Sequence, residues 1–146
     1  MIRPIIRKLG IVKAEAAANV KKNKAKIKEK TPTMVSGDLA EDLALAYLKK
    51  RRFRLEQRNF NCRYGEIDLI MWDQEYLVFI EVRYRASLNY GGPMESINNS
   101  KQSKLRRTAE FYLVNTKKGD CPCRFDILCI NGNLNNPEYE WITNAF

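Results

Sequence analysis

A chain of 146 residues, 45% of them apolar, is one ordinary domain with room for a real hydrophobic core, and its formal charge of +9 points toward a polyanionic partner. Histidine is absent. That excludes Ser-His-Asp and Cys-His hydrolases, HExxH metalloproteases and nucleases with a histidine base, so any acid–base or metal chemistry must rest on carboxylates, Lys, Tyr, Cys or bound water.

The charge is unevenly placed. Residues 1–34 carry ten basic and two acidic groups, a local net of +8, whereas residues 35–146 carry 16 and 15, a net of +1. The first segment has good helix formers, as in AEAAANVKKNKAKIKEK, but no apolar stripe. It reads as a basic arm, disordered or loosely helical, that either solubilises the chain or contacts phosphates. The start MIRPIIRKLGIV lacks the continuous apolar stretch and cleavage site of a secretory signal, and no run approaches the roughly 18 residues of a membrane span. A cytosolic protein without membrane association is expected.

The step Thr31-Pro32-Thr33 marks a boundary. After it, SGDLAEDLALAYLKKRR (36–52) predicts a helix with Asp38 as N-cap, Glu41 in capping-box position, and Leu39, Ala40, Leu43, Tyr47 and Leu48 as its apolar stripe. A strand is expected over 53–60, then two more over 65–72 and 76–83 joined at Gln74-Glu75. The loop SLNYGGPMES (87–96) follows. A second helix is predicted from Ser100 to Asn115, burying Leu105, Thr108, Ala109 and Tyr112, with Lys101, Lys104, Arg106 and Arg107 crowding its first half. Strands over 123–132 and within EYEWITNAF (138–146) complete an α-β-β-β-α-β-β order, which argues for a mixed sheet with helices packed on it. The four cysteines do not form paired CxxC knuckles, and reduced, partly buried thiols are the expectation.

The hairpin raises the functional question. An antiparallel register centred on Gln74-Glu75 sets Asp68 opposite Glu81 and Glu66 opposite Arg83, with Ile67–Val82, Leu69–Ile80 and Met71–Val78 on the other face. Directly opposed carboxylates repel by several kcal/mol when partly buried, unless one is protonated or a cation lies between them. Ile70, Leu77 and Phe79 share the carboxylate face, so the sheet is apolar on both sides and covered on both. A hard divalent ion with oxygen ligands would relieve the repulsion. An ordinary surface ion pair, Glu66–Arg83, is the bland alternative.

An Asp followed a dozen residues later by Glu-x-basic on adjacent strands resembles the PD-(D/E)xK signature of nucleases with the restriction-endonuclease-like fold. More closely, AEDLALAYL (40–48), RYGEIDLI (63–70), VFIEVRYR (78–85), YGGP (90–93), SKQSKLRRTAEFYL (100–113), CRFDI (123–127) and the closing W-x-x-NAF resemble the YraN-like family of small bacterial proteins. The resemblance covers residues 36–146 and implies an α/β, restriction-endonuclease-like mixed sheet, an αβββαβ core flanked by helices. It further implies a metal-dependent nuclease acting on DNA, branched or structured DNA among the candidates, with Mg²⁺ or Mn²⁺ as cofactor and room for a homodimer. Holliday-junction-resolvase-like members add an acid from the first helix, here Glu41, to the strand acids Asp68 and Glu81 as metal ligands. Arg83 stands where the nuclease consensus has lysine. Always protonated, it cannot act as a base but can stabilise charge on a scissile phosphate. Arg85, Lys101, Gln102 and Lys104 are the candidate nucleic-acid contacts. A non-catalytic nucleic-acid-binding or assembly protein on the same fold is the alternative.

Overall fold

The computed structural model describes residues 32–87, Gly92 and residues 97–146. The basic segment 1–31 and most of the Gly- and Ser-rich loop lie outside them. Helix α1 spans Pro32–Lys49. The proline expected to interrupt the chain instead opens the helix, where its fixed φ and missing N–H are no handicap. Asp38 consequently lies inside α1 rather than at its N-cap, so the predicted capping box with Glu41 does not form. The buried row is Ala40, Ala44 and Leu48, an i, i+4 series whose small residues let the helix approach the sheet closely. Leu43 and Tyr47 flank it half-buried, but Leu39, expected on the stripe, faces outward at 41% exposure.

Five strands form one sheet in the spatial order of the chain: β1 (Arg54–Cys62), β2 (Gly65–Asp73), β3 (Tyr76–Arg85), β4 (Cys123–Asn131) and β5 (Glu138–Ile142). The first three make an antiparallel meander. Helix α2 (Asn99–Thr116) then carries the chain across so that β4 lies parallel to β3, and β5 returns antiparallel. This is an α/β architecture with a mixed sheet flanked by two helices, consistent with the restriction-endonuclease-like αβββαβ core. Among the described residues, no helix is long and apolar enough to cross a membrane.

Alternation sorts the core into two layers. Leu69, Met71, Val78, Ile80, Leu128 and Ile130 pack with α1, whereas Ile70, Leu77 and Phe79 pack with Leu105, Ala109 and Tyr112 of α2. The buried face of α2 is the one its periodicity predicts, Leu105, Thr108, Ala109 and Tyr112. Asn98 caps this helix, its Oδ1 accepting from the Lys101 N–H at 2.9 Å, and Lys117 ends it in the left-handed region at φ 55°.

A carboxylate fork between the strands

The β2–β3 ladder has the expected register from Asp73↔Tyr76 to Leu69↔Ile80, with Gln74 turning the chain at φ 54°. Beyond Leu69 the β2–β3 rungs stop, while the outer pairings of both strands continue. Glu66 and Ile67 pair with Asn61 and Phe60 of β1, while Glu81 to Arg85 pair with Ile127 to Asn131 of β4. The predicted rungs Asp68–Glu81, Ile67–Val82 and Glu66–Arg83 are therefore absent from the described ladder, because the two strands part there. A local break in alternation accompanies the parting. Asn59 adopts φ 49°, although the β1–β2 register is the same at Arg58↔Leu69 and Phe60↔Ile67 and shifts only between Leu55 and Gln57, and Ile67 packs with the α2 layer instead of joining Leu69 and Met71.

Asp68 sits at the crotch of this fork. Its Oδ2 accepts the Val82 N–H at 2.7 Å, taking the place of a strand carbonyl. Burial, then repulsion from Glu81, pushes its pKa up to about 7, with Glu41 adding to the rise and Lys101 and the Val82 N–H opposing it. Glu81 is only 5% exposed. Its Oε1 lies 2.9 Å from Lys101 Nζ at the start of α2 and 3.3 Å from Arg83 Nε, the latter an ion pair without hydrogen-bond alignment. The repulsion inferred from the sequence is thus partly answered within the protein, by two cations on Glu81 and by a carboxyl on Asp68 that holds its proton near neutrality.

Glu41 reaches the fork from α1. Burial raises its pKa, against the lowering effect of an Asn59 side-chain hydrogen bond and of Arg58. Arg58 Nη2 lies 3.8 Å from Glu41 Oε2 and 2.8 Å from Asp42 Oδ1. Two buried acceptors, Glu41 Oε2 and Glu81 Oε2, make no hydrogen bond. Among the described residues, no three His, Cys, Asp or Glu side chains are gathered into a ready-made metal cage.

The remaining candidates divide. Lys101 joins the fork through Glu81. Gln102 turns its Nε2 back to the Ile97 carbonyl at 3.3 Å, and Arg85 donates to the Gly92 carbonyl at 2.9 Å, so both brace the approach to α2. Lys104 is exposed on α2, and Glu66 is exposed on β2. Arg58 and Asn59 were not anticipated. Strand alternation carries no sign of them, and the only available hint is that Asn tolerates positive φ. All four cysteines are free, with Cys129 buried and Cys123 exposed.

The arrangement can hold a cation or a proton between acids and present positive charge beside it. Comparison with known proteins bears on whose site this is. The family described as "Uncharacterised protein family UPF0102" matches residues 40–130, a span containing Glu41, Asp68, Glu81, Arg83 and Lys101. A UPF0102 protein of Nitrosomonas europaea is 50% identical over 110 residues, covering 75% of this chain and 92% of its own. One from Psychromonas ingrahamii is 52% identical over 110 residues, 75% of this chain and 88% of its own. One from Nitrosospira multiformis is 48% identical over 112 residues, 77% and 92% respectively. With the sequence blocks, the sheet order and these matches in agreement, the chain belongs to the UPF0102, or YraN-like, family.

Proposed function

We propose that this protein is a Mg²⁺- or Mn²⁺-dependent nuclease domain that hydrolyses phosphodiester bonds in DNA, with branched or otherwise structured DNA as the substrate class. One observation carries the reading: Glu41 Oε2 and Glu81 Oε2 are buried acceptors without hydrogen bonds, and both carboxylates act on an Asp68 that resists ionisation. Orphaned buried acceptors cost about 1–3 kcal/mol each, more for charged groups. Hard oxygen donors of this kind suit Mg²⁺ or Mn²⁺, so Asp68 and Glu81 would hold the ion, with Glu41 as the third carboxylate. When bound, such an ion polarises a phosphoryl oxygen and supplies a nucleophile at neutral pH.

The chain's own cations do the rest. Arg83 is charged at every relevant pH and stands beside Glu81, where it neutralises charge building on the phosphate. Lys101, paired with Glu81 in this structure, would be available to the phosphate backbone at the start of α2 if Glu81 held a divalent ion instead.

A second reading has an observation in its favour. Glu81 already has two cationic neighbours and no three-acid cage is preformed among the described residues, as in a non-catalytic nucleic-acid-binding or assembly protein whose acids only hold the fork. Incubating four-way-junction DNA with the wild-type and Asp68→Ala proteins, with Mg²⁺, Mn²⁺ or EDTA, separates the two. Metal-dependent cleavage lost in Asp68→Ala supports the nuclease. Binding without cleavage by the wild type assigns the second reading.

A further inference from the structure

Outside the fork, one groove combines features that the carboxylates do not explain. It lies between the β1–β2 turn and the outer face of α2, lined by Tyr64, Arg107, Glu110, Phe111, Val114 and Asn115, with a volume of about 690 Å³. The Tyr64 and Phe111 rings meet edge to face at 5.9 Å. Arg63 donates to the Tyr64 hydroxyl and holds its guanidinium 4.7 Å over the Tyr64 ring. Val114, 76% exposed, adds an apolar side chain to the lining beside the two rings.

The turn that presents Tyr64 is built to stay there. Gly65 has φ 152°, and a Cβ at this position would stand 3.2 Å from Thr108 Oγ1 and 3.9 Å from Lys104 Cβ. Only glycine lets the turn lie this close against α2. Arg107 lines the groove with Glu110, and Arg63 adds a second cation against the Tyr64 ring. Tyr64 stands in the turn just before β2 and precedes Asp68 by four residues, at most roughly 13 Å of extended chain.

We infer that this groove is a subsite for an unpaired nucleobase of the nucleic acid whose phosphate lies at the fork. The inference rests on the proposed nucleic-acid function and adds what that function leaves unspecified: the bound strand carries an unstacked base a few nucleotides from the fork. The chemistry matches a base better than a peptide segment. A ring edge and a guanidinium on an apolar floor accept any π-face, and the flanking cations take the phosphates on either side. Its volume falls within the roughly 300–1,000 Å³ of small-ligand clefts.

The test compares two single-stranded probes of equal length and charge, an oligothymidylate and an oligomer of abasic tetrahydrofuran phosphates. Affinity is read by fluorescence anisotropy with the full chain in EDTA, so that no cleavage intervenes. The wild type is expected to bind the thymidylate about tenfold more tightly than the baseless probe. Tyr64→Ala should bind both alike, at the baseless level, and Tyr64→Phe should keep the preference, with unchanged melting curves for both variants. Equal wild-type affinity for the two probes overturns the subsite even if Tyr64→Ala fails to fold, and so does a preference that persists in folded Tyr64→Ala. Either result leaves the groove to a protein partner. The cleavage assay at the fork is separate: loss of base preference with metal-dependent cleavage intact overturns this inference alone, whereas base preference without cleavage supports it and overturns only the nuclease.

Discussion

Asp68 is the residue at which stability and the proposed function pull against each other. Its pKa, ordinarily near 3.8, is pushed up to about 7 by burial and by Glu81, so the folded chain holds this proton more tightly than the unfolded one. The stabilisation from that proton is complete below pH of about 4 and disappears as the pH rises through about 7. Asp68→Asn keeps an acceptor for the Val82 N–H and never ionises. In EDTA it should therefore melt several degrees above the wild type at pH 8 and show no such advantage at pH 4. Glu56, whose pKa Lys118 lowers, acts in the opposite direction but is present in both proteins and cancels in the difference. Melting curves across this range decide the point, and a constant difference would mean that Asp68 is not the titrating group.

At the scale of elements, β4 is clasped to its neighbours by an acid with no place in the proposed chemistry. Asp126, 1% exposed, accepts from Arg124 Nε at 3.1 Å, from Trp141 Nε1 of β5 at 3.1 Å and from the Asn144 N–H at 3.0 Å. Arg124 also reaches Asp73 of β2 at 2.9 Å. Asp126→Ala would leave an indole N–H and a main-chain N–H without their acceptor and the guanidinium with Asp73 alone, at a cost of about 3–5 kcal/mol. A large drop in the urea midpoint is expected, with no change in any metal-induced rise in melting temperature. The order of elements along the chain, the β2–β3 register near the turn and the inner face of α2 were legible in the sequence, because alternation and the 3.6-residue period record which side of an element is dry. The start of α1 was not, since a proline that ends one segment and a proline that opens a helix look alike in sequence. Nor was the fork: the hairpin register that holds near the turn was extrapolated to Asp68–Glu81 and Glu66–Arg83, whereas the β2–β3 rungs end at Leu69↔Ile80. Asp68 and Glu81 were still recognisable as candidates, as acids among apolar strand residues.

For the whole molecule, charge is divided by region. Residues 1–31 hold ten basic and two acidic groups, and the family match begins only at residue 40. Each phosphate contact made by a Lys or Arg contributes about −0.9 to the slope of log affinity against log salt on duplex DNA. Deleting residues 1–31 should flatten that slope by several units in a salt titration and leave metal-dependent cleavage of saturating substrate in place. An unchanged slope would transfer the phosphate contacts to the domain, with Lys104, Arg106 and Arg107 of α2 the first to be substituted.

The hydrogen bond from Val82 to Asp68 makes one main-chain amide dependent on a titratable acceptor. In an ordinary rung the acceptor is a carbonyl, whose strength is fixed. Here the amide proton should report the state of the fork by itself, without substrate or label. Its NMR resonance should move downfield as Asp68 ionises, with a midpoint at pH of about 7, and should stay still in Asp68→Asn. Adding Mg²⁺ at pH 8 should draw electron density from the carboxylate and return the resonance toward its low-pH position, a direct gauge of occupancy at a single atom.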